Sequence, residues 1–337
     1  MSIIKNGVQN AECRMQNDGL SYNKSNLNSQ FPVPGCQFHF RPVEIGDIPL
    51  YYEYIAANAG YREYYGCELF PQTLLTWGGG KIGHFVTPDA IYIVDNYKTE
   101  PLFFPPVVKS IKYFPAAVGH IRDYCRQNGI AFTVDGVWKP LAFLEGMEEY
   151  TVTDSRDLYD YLYLPENLSG LPGGDYKKKR NFISQFLREY PAYTLQSYTP
   201  ADRAPMLKML DEWNAEHYGA DGAERDRQAV VFSLKNLDAL RMFCDVLKCG
   251  TEILAFAIGY LTPNNAGVVA FERALNHSGC YAMINKLFAA RHFSGVAYVN
   301  RQEDMGVAGL RQAKLSYHPS GFVEKLRIIV NQVHNRT

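Results

Sequence analysis

The chain has 337 residues, 47% of them hydrophobic and 20% charged, with a formal net charge of -1. Length favours two domains with sizeable cores, and the composition excludes a disordered or collagen-like chain. Near-neutrality excludes a surface coated in positive charge for bulk nucleic-acid binding, so no DNA partner is expected and any RNA contact would be a local patch.

Residues 1–35, rich in Asn, Ser, Gln and Gly, read as a poorly ordered arm. Phe38–Val43 alternates like a strand, and Asp47 precedes a helix carrying Leu50, Tyr51, Tyr54 and Ile55. Tyr61–Trp77 is irregular and aromatic. Ala90–Val94 and Pro101–Phe104 read as a hairpin across the polar turn Asp95–Glu100. A helix over Ala116–Gln127, a strand over Ile130–Val134, a helix over Pro140–Glu148 and a strand over Tyr150–Thr153 follow. Next comes Gly173-Gly174-Asp175-Tyr176-Lys177-Lys178-Lys179-Arg180-Asn181, whose four cations open an apolar-periodic helix. Cations oppose the positive end of a helix dipole. The run is therefore either a phosphate or carboxylate grip or a solvated basic turn.

The same order returns in the second half. Tyr193–Tyr198 is a strand, Asp202 caps a helix, and a second helix covers 228–247. Ile253–Leu261 and Val268–Ala274 are strands, followed by a helix (Tyr281–Arg291), a strand (Val296–Asn300), a helix (Val307–Leu315) and a final strand (Phe322–Val330). Corresponding elements Ile130/Val296 and Pro140/Val307 are offset by 166 and 167 positions, which suggests internal duplication. The expected organisation is the arm 1–35, a first unit 36–156, a junction 157–190 with the basic turn, and a second unit 191–337.

This α/β order, a mixed α+β sheet in each half, resembles the GNAT acyltransferases, in which the central strands splay apart and an acyl donor lies in the gap. Two segments carry a closer likeness. Tyr161-Leu162-Tyr163, Leu171-Pro172-Gly173 and Lys179-Arg180-Asn181 form one; Phe271-Glu272-Arg273-Ala274, Tyr281 to Asn285 and Val299 to Pro319 form the other. Together they resemble the bacterial family that shares the C-terminal domain of phosphatidylglycerol lysyltransferase. The likeness extends from about residue 36 to the end of the chain. Gln302, Arg273, Lys177 and Phe182 depart from that family's usual residues, and no counterpart of the membrane flippase portion of the full lysyltransferases is expected among these residues. The resemblance implies two tandem GNAT-like, Fem-like domains and acyl transfer, with an aminoacyl-tRNA or acyl-CoA as donor and an amine or hydroxyl as acceptor.

Acyl transfer from an activated ester or thioester needs a held donor, a deprotonated nucleophile and positive charge facing the oxyanion. Glu272, on an otherwise apolar strand, is either a base or a structural partner of a neighbouring cation. Asn300 and Arg301 end a strand, where ligands gather in α/β sheets. Asp304 reads as the cap of the next helix, and Glu303 is open to either role. Arg311 and Lys314, three apart on one helical face, converge on one anion or form a solvated face. Tyr317 donates to an oxyanion or simply packs. The candidate catalytic set is Glu272, Arg301, Arg311, Lys314 and Tyr317; the candidate anion- or substrate-binding set is Lys177, Lys179, Arg180, Asn181, Asn285 and Asn300. Cys280 and His277 lack a third orienting group and are not read as a nucleophile pair. The stretch Ala274 to Tyr281 does not match the glycine-rich loop that holds coenzyme A in GNAT enzymes, which lowers the case for acetyl-CoA. A non-catalytic protein that binds an anionic ligand or RNA is the alternative function.

No apolar run approaches the ~20 residues of a membrane span, and no secretory signal pattern opens the chain. The seven cysteines are scattered without a C-x-x-C pair. Reduced thiols, a cytoplasmic location and no metal are expected.

Overall fold

Alternating and periodic apolar residues in the first half build β1 (Arg41–Pro42), α1 (Ile48–Ala57), α2 (Pro71–Gly78), β2 (Ile82–Val86), β3 (Ala90–Asp95) and β4 (Leu102–Val108). α3 (Phe114–Asn128), β5 (Thr133–Trp138), α4 (Lys139–Ala142) and β6 (Tyr150–Asp154) complete it. The structure, a computed structural model, describes residues 38–96, 101–217, 219–277 and 279–330; the expected N-terminal arm lies outside them. The connecting segment holds β7 (Asp160–Tyr163), α5 (Pro165–Gly170) and α6 (Lys177–Glu189). Then come β8 (Tyr193–Ser197), α7 (Arg203–His217), α8 (Ala220–Lys235), β9 (Met242–Cys249), β10 (Glu252–Leu261) and β11 (Ala266–Ala274). The chain continues with α9 (Cys280–His292), β12 (Tyr298–Asn300), α10 (Ala308–Leu315), β13 (Gly321–Val323) and β14 (Lys325–Val330).

Two seven-stranded mixed sheets result, in the orders β1-β2-β3-β4-β5-β14-β6 and β8-β9-β10-β11-β12-β7-β13. Position by position they match. Each has one parallel pair, β4 with β5 and β11 with β12, and every other neighbour is antiparallel. The duplication is therefore in the topology, and the sixth place is filled by β14, from the second half, in the first sheet and by β7, from the connecting segment, in the second. β14 enters the first sheet between β5 and β6, with Leu326 facing Val137 and Ile328 facing Val134. β7 enters the second between β12 and β13.

A buried ionic cluster stands where β7 and β14 begin. Lys325 Nζ lies 2.8 Å from Asp160 Oδ1 and 2.7 Å from Glu68 Oε2. Asp160 also accepts from the Cys67 N–H at 2.9 Å and from Asn300 Nδ2 at 2.8 Å. Cys67, Glu68 and Asp160 would suit a metal by donor type, but the cation among them is the lysine ammonium. Such a cluster costs desolvation, which its ion pairs and hydrogen bonds offset, and it joins the starts of β7 and β14.

Several expected elements differ. The helix read over 228–247 ends at Lys235, and Met242–Cys249 is β9, with antiparallel partners β8 and β10 on its two sides. An apolar run of that length suits helix or strand, and pairing decides it. The final strand read over Phe322–Val330 is two strands in different sheets, parted at Glu324. Pro140–Glu148 contributes only the short α4, Phe38–Val43 only the two-residue β1, and the irregular stretch contains α2.

The larger core fills the first sheet and the space where it meets the second, from Tyr51, Phe70 and Phe103 to Phe256 and Phe271. A smaller core, with Tyr161, Tyr163, Phe186, Leu254, Ile284 and Phe288, lies under α5, α6 and α9.

Candidate active site

β11 and β12 pair only over Ala266–Val268 with Tyr298–Asn300; β12 then stops while β11 runs on to Ala274. Across the gap so opened, Arg301 Nη2 meets Glu272 Oε1 at 2.9 Å. Both side chains are almost buried, at 12% and 9% exposure. α9 supplies Asn285, whose Nδ2 donates to Glu272 Oε2 at 3.0 Å. The Arg301 guanidinium also lies over the rings of Tyr317, 4.8 Å from its centroid, and Tyr163, at 5.6 Å. Two buried atoms in this group, Arg301 Nη1 and Asn285 Oδ1, have no hydrogen-bond partner among the described residues. Each is a buried polar group whose hydrogen-bonding capacity the protein does not meet, which marks this group as a candidate for function.

α6 brings Lys179 to the same place. Its ammonium lies 3.8 Å from the centroid of the Tyr317 ring and donates to Ser316 Oγ at 2.6 Å. Burial and the nearby Arg301 charge lower its pKa to about 8. Tyr176, just before α6, donates its hydroxyl to the Tyr317 carbonyl at 2.8 Å, which ties the helix start to the end of α10. Burial raises the Tyr317 phenol, so it stays protonated through the neutral range.

The first sheet has a corresponding gap, since β4 and β5 pair only at Phe103 with Val134. There the backbone of β4 is closed off by buried side chains. Tyr61 Oη accepts from the Val108 N–H at 3.1 Å, and Asn58 Nδ2 donates to the Val108 carbonyl at 2.9 Å.

Of the residues singled out in the sequence, Glu272, Arg301, Asn285, Tyr317 and Lys179 come together. The others do not. Arg311 and Lys314 diverge instead of converging on one anion. Arg311 holds Asp304 and Asp157, at 2.8 and 2.7 Å. Lys314 points inward to the carbonyls of Arg301 at 2.7 Å, Gln302 at 3.0 Å and Glu303, and burial lowers its pKa to about 8. It shapes the loop that carries Arg301, where Gln302 has a φ of 59°. Asn300 is fully buried and donates to the Tyr65 carbonyl and Asp160. Asp304 does not cap α10, whose N-cap is Val307. It binds Arg311, Arg156, Tyr161 and the Gly306 N–H, contacts that outweigh its burial and hold its carboxyl well below the usual range. Arg180 donates to the Leu171 carbonyl, while Lys177 and Asn181 are exposed on α6. Cys280 is fully buried, and its thiol is pushed up to about 12. Sequence reasoning missed Tyr163, Ser316 and Tyr176 as site residues; the aromatic motif at 161–163 was their one visible signal.

A family profile described as phosphatidylglycerol lysyltransferase, C-terminal, matches residues 68–328, which includes every residue of this gap. The chain belongs to that family. It is 27% identical to a conserved protein of unknown function from Bacteroides thetaiotaomicron, with a TM-score of 0.77 over 87% of this chain and 100% of that one. The structure of L-PGS from Bacillus licheniformis aligns with a TM-score of 0.56 at 14% identity, over 77% of this chain and 86% of that one. FemX aligns at 0.53 and 10% identity, over 86% and 97%. These likenesses and the matched sheets identify a tandem GNAT-like, Fem-like acyltransferase fold. A curated relative, the protein MYCGA3080 of Mycoplasmoides gallisepticum, is 23% identical over 174 residues, and the match spans 51% of this chain and 56% of that relative's length. Among the described residues no helix is long and apolar enough to cross a membrane.

Proposed function

We propose that the gap of the second sheet transfers an acyl or aminoacyl group to an amine or hydroxyl acceptor. Family membership supports transfer in general. The observation that carries the reading to this gap is the Arg301–Glu272 pair bridging the splayed strands, with Arg301 Nη1 left open. In this reading the nucleophile attacks the acyl carbonyl, a C–N or C–O bond forms, the bond to the leaving group breaks, and the nucleophile's proton passes to the leaving group. Arg301 and Lys179 place positive charge against the developing oxyanion in a desolvated site, where it acts most strongly. Glu272 holds Arg301, Asn285 in turn holds Glu272, and the carboxylate and amide oxygens offer acceptors to an incoming amine. Lys314, Arg311, Tyr317 and Asn300 position that loop rather than touch the substrate. An aminoacyl-tRNA suits the exposed Lys177 and Lys178 at the start of α6 as phosphate contacts.

The test is incubation with charged tRNAs and with acyl-CoAs, followed by mass spectrometry of amine and hydroxyl acceptors. Transfer that drops in Glu272→Gln and Arg301→Gln is expected. Transfer indifferent to both changes overturns the site. Salt-sensitive tRNA binding with no transfer to any acceptor favours a binding protein instead.

A further inference from the structure

GNAT enzymes that use coenzyme A hold its diphosphate at the N-terminus of the helix after the fourth strand, here α9. That helix end is closed. Gly279, its N-cap, has a φ of 88°. A Cβ there would lie 2.8 Å from the carbonyl carbon of Phe182 and 2.9 Å from Phe186 Cβ, with the Phe182 carbonyl oxygen nearer still. The backbone of α6 therefore lies flush against the first turn of α9. Its Phe182 carbonyl sets the negative end of a peptide dipole beside the N-cap of α9, which disfavours an anion there. In the first turn Cys280 is 0%, Ala282 4% and Met283 3% exposed, while Tyr281 is half-buried. The Cys280 N–H already donates to the His277 carbonyl at 3.3 Å. Coenzyme A does not fit the residues present.

We infer that α6 is the donor-selecting element of this protein: it fills the place of a donor's diphosphate and, in the same packing, carries Lys179 into the gap. Thioesters anchored by a helix-bound diphosphate are excluded. What remains is an ester whose phosphates lie outside α9, a statement that rests on the transferase reading; the exclusion itself rests only on the packing of α6 on α9. Only Gly fits position 279, because any side chain meets the α6 backbone and the backbone there is left-handed.

Two measurements test this without an activity assay. The first is calorimetric titration of the full chain with coenzyme A and acetyl-CoA, with amide hydrogen exchange followed over residues 279–284. No saturable binding up to about 1 mM and unchanged exchange are expected. Saturable binding that protects those amides overturns the inference. The second is trace labelling of Lys179 with acetic anhydride across pH. Half-labelling is expected near pH 8 in the natural chain and displaced toward 10.5, the value of a free lysine, in Gly279→Ala. A folded Gly279→Ala protein with the natural labelling profile overturns the link between α6 packing and Lys179. Should that variant not fold, the titration of the natural chain decides alone. Loss of transfer with coenzyme A still excluded counts against the proposed activity and leaves the role of α6 standing.

Discussion

Replacing Lys325 with Met removes the ammonium shared by Asp160 and Glu68, whose side chains are 0% and 12% exposed. Breaking a buried ion pair from one side costs about 3–5 kcal/mol, because the remaining charge stays buried without compensation. Here two carboxylates remain. Asp160 keeps the Cys67 N–H and Asn300 Nδ2, and Glu68 keeps the Tyr64 hydroxyl at 2.9 Å, so the lower part of that range applies. A loss of about 3.5 kcal/mol, divided by a slope of about 6 kcal/mol per molar for a chain of this size in guanidinium, moves the midpoint down by about 0.6 M. The measurement is equilibrium unfolding followed in parallel by far-UV circular dichroism and tryptophan fluorescence. One coincident transition is expected, since β14 of the second half is an inner strand of the first sheet. The pH dependence adds a signature. Burial raises the Glu68 carboxyl above its unfolded value in the natural protein, and losing the lysine raises it further. A carboxyl raised in the folded state binds its proton on folding, which favours folding at low pH and disfavours it as pH rises. The deficit of Lys325→Met should therefore shrink from pH 7 to pH 5. A midpoint shift below about 0.2 M, or a deficit that grows on acidification, refutes a stabilising role for the Lys325 cluster.

Glu272→Gln should lower any transfer rate at least tenfold, about 1.4 kcal/mol of barrier, with a far smaller effect on the unfolding midpoint than Lys325→Met; equal damage to both would make the residue structural. If Lys179 acts as a cation, the rate should fall as pH rises through about 8, and Lys179→Arg should remove that fall; a rate that climbs through the same range marks the lysine as a base instead. Tyr61→Phe leaves the buried Val108 N–H without its acceptor and should cost about 1–3 kcal/mol of stability while transfer stays at the natural rate. Neutralising Lys177 and Lys178 should flatten the salt dependence of tRNA binding by close to one unit of slope per lost contact, read from filter binding across a salt series.

Much of this protein was legible in its residues. Periodicity and turn chemistry are local, so the order of elements, the duplicated architecture and the acyltransferase likeness at 271–274 and 299–319 could be read along the chain. Glu272, Arg301 and Asn285 stand inside that likeness. Other properties are not local. Whether Met242–Cys249 is helix or strand depended on finding partners on both sides, and nothing in Phe322–Val330 announces that it serves two sheets. Arg311 and Lys314 share a helix face at a spacing that predicts convergence, yet a carboxylate network draws one outward and three carbonyls draw the other in. The basic run at 177–181 divides in the same way. Lys179 goes into the gap, Arg180 ties down a turn, and Lys177 stays in solvent. Charge type and helical spacing are properties of the sequence. Which charge is desolvated, and against which partner, is decided only when distant strands and helices close around it, because the interaction energy of a charge is set by its surroundings.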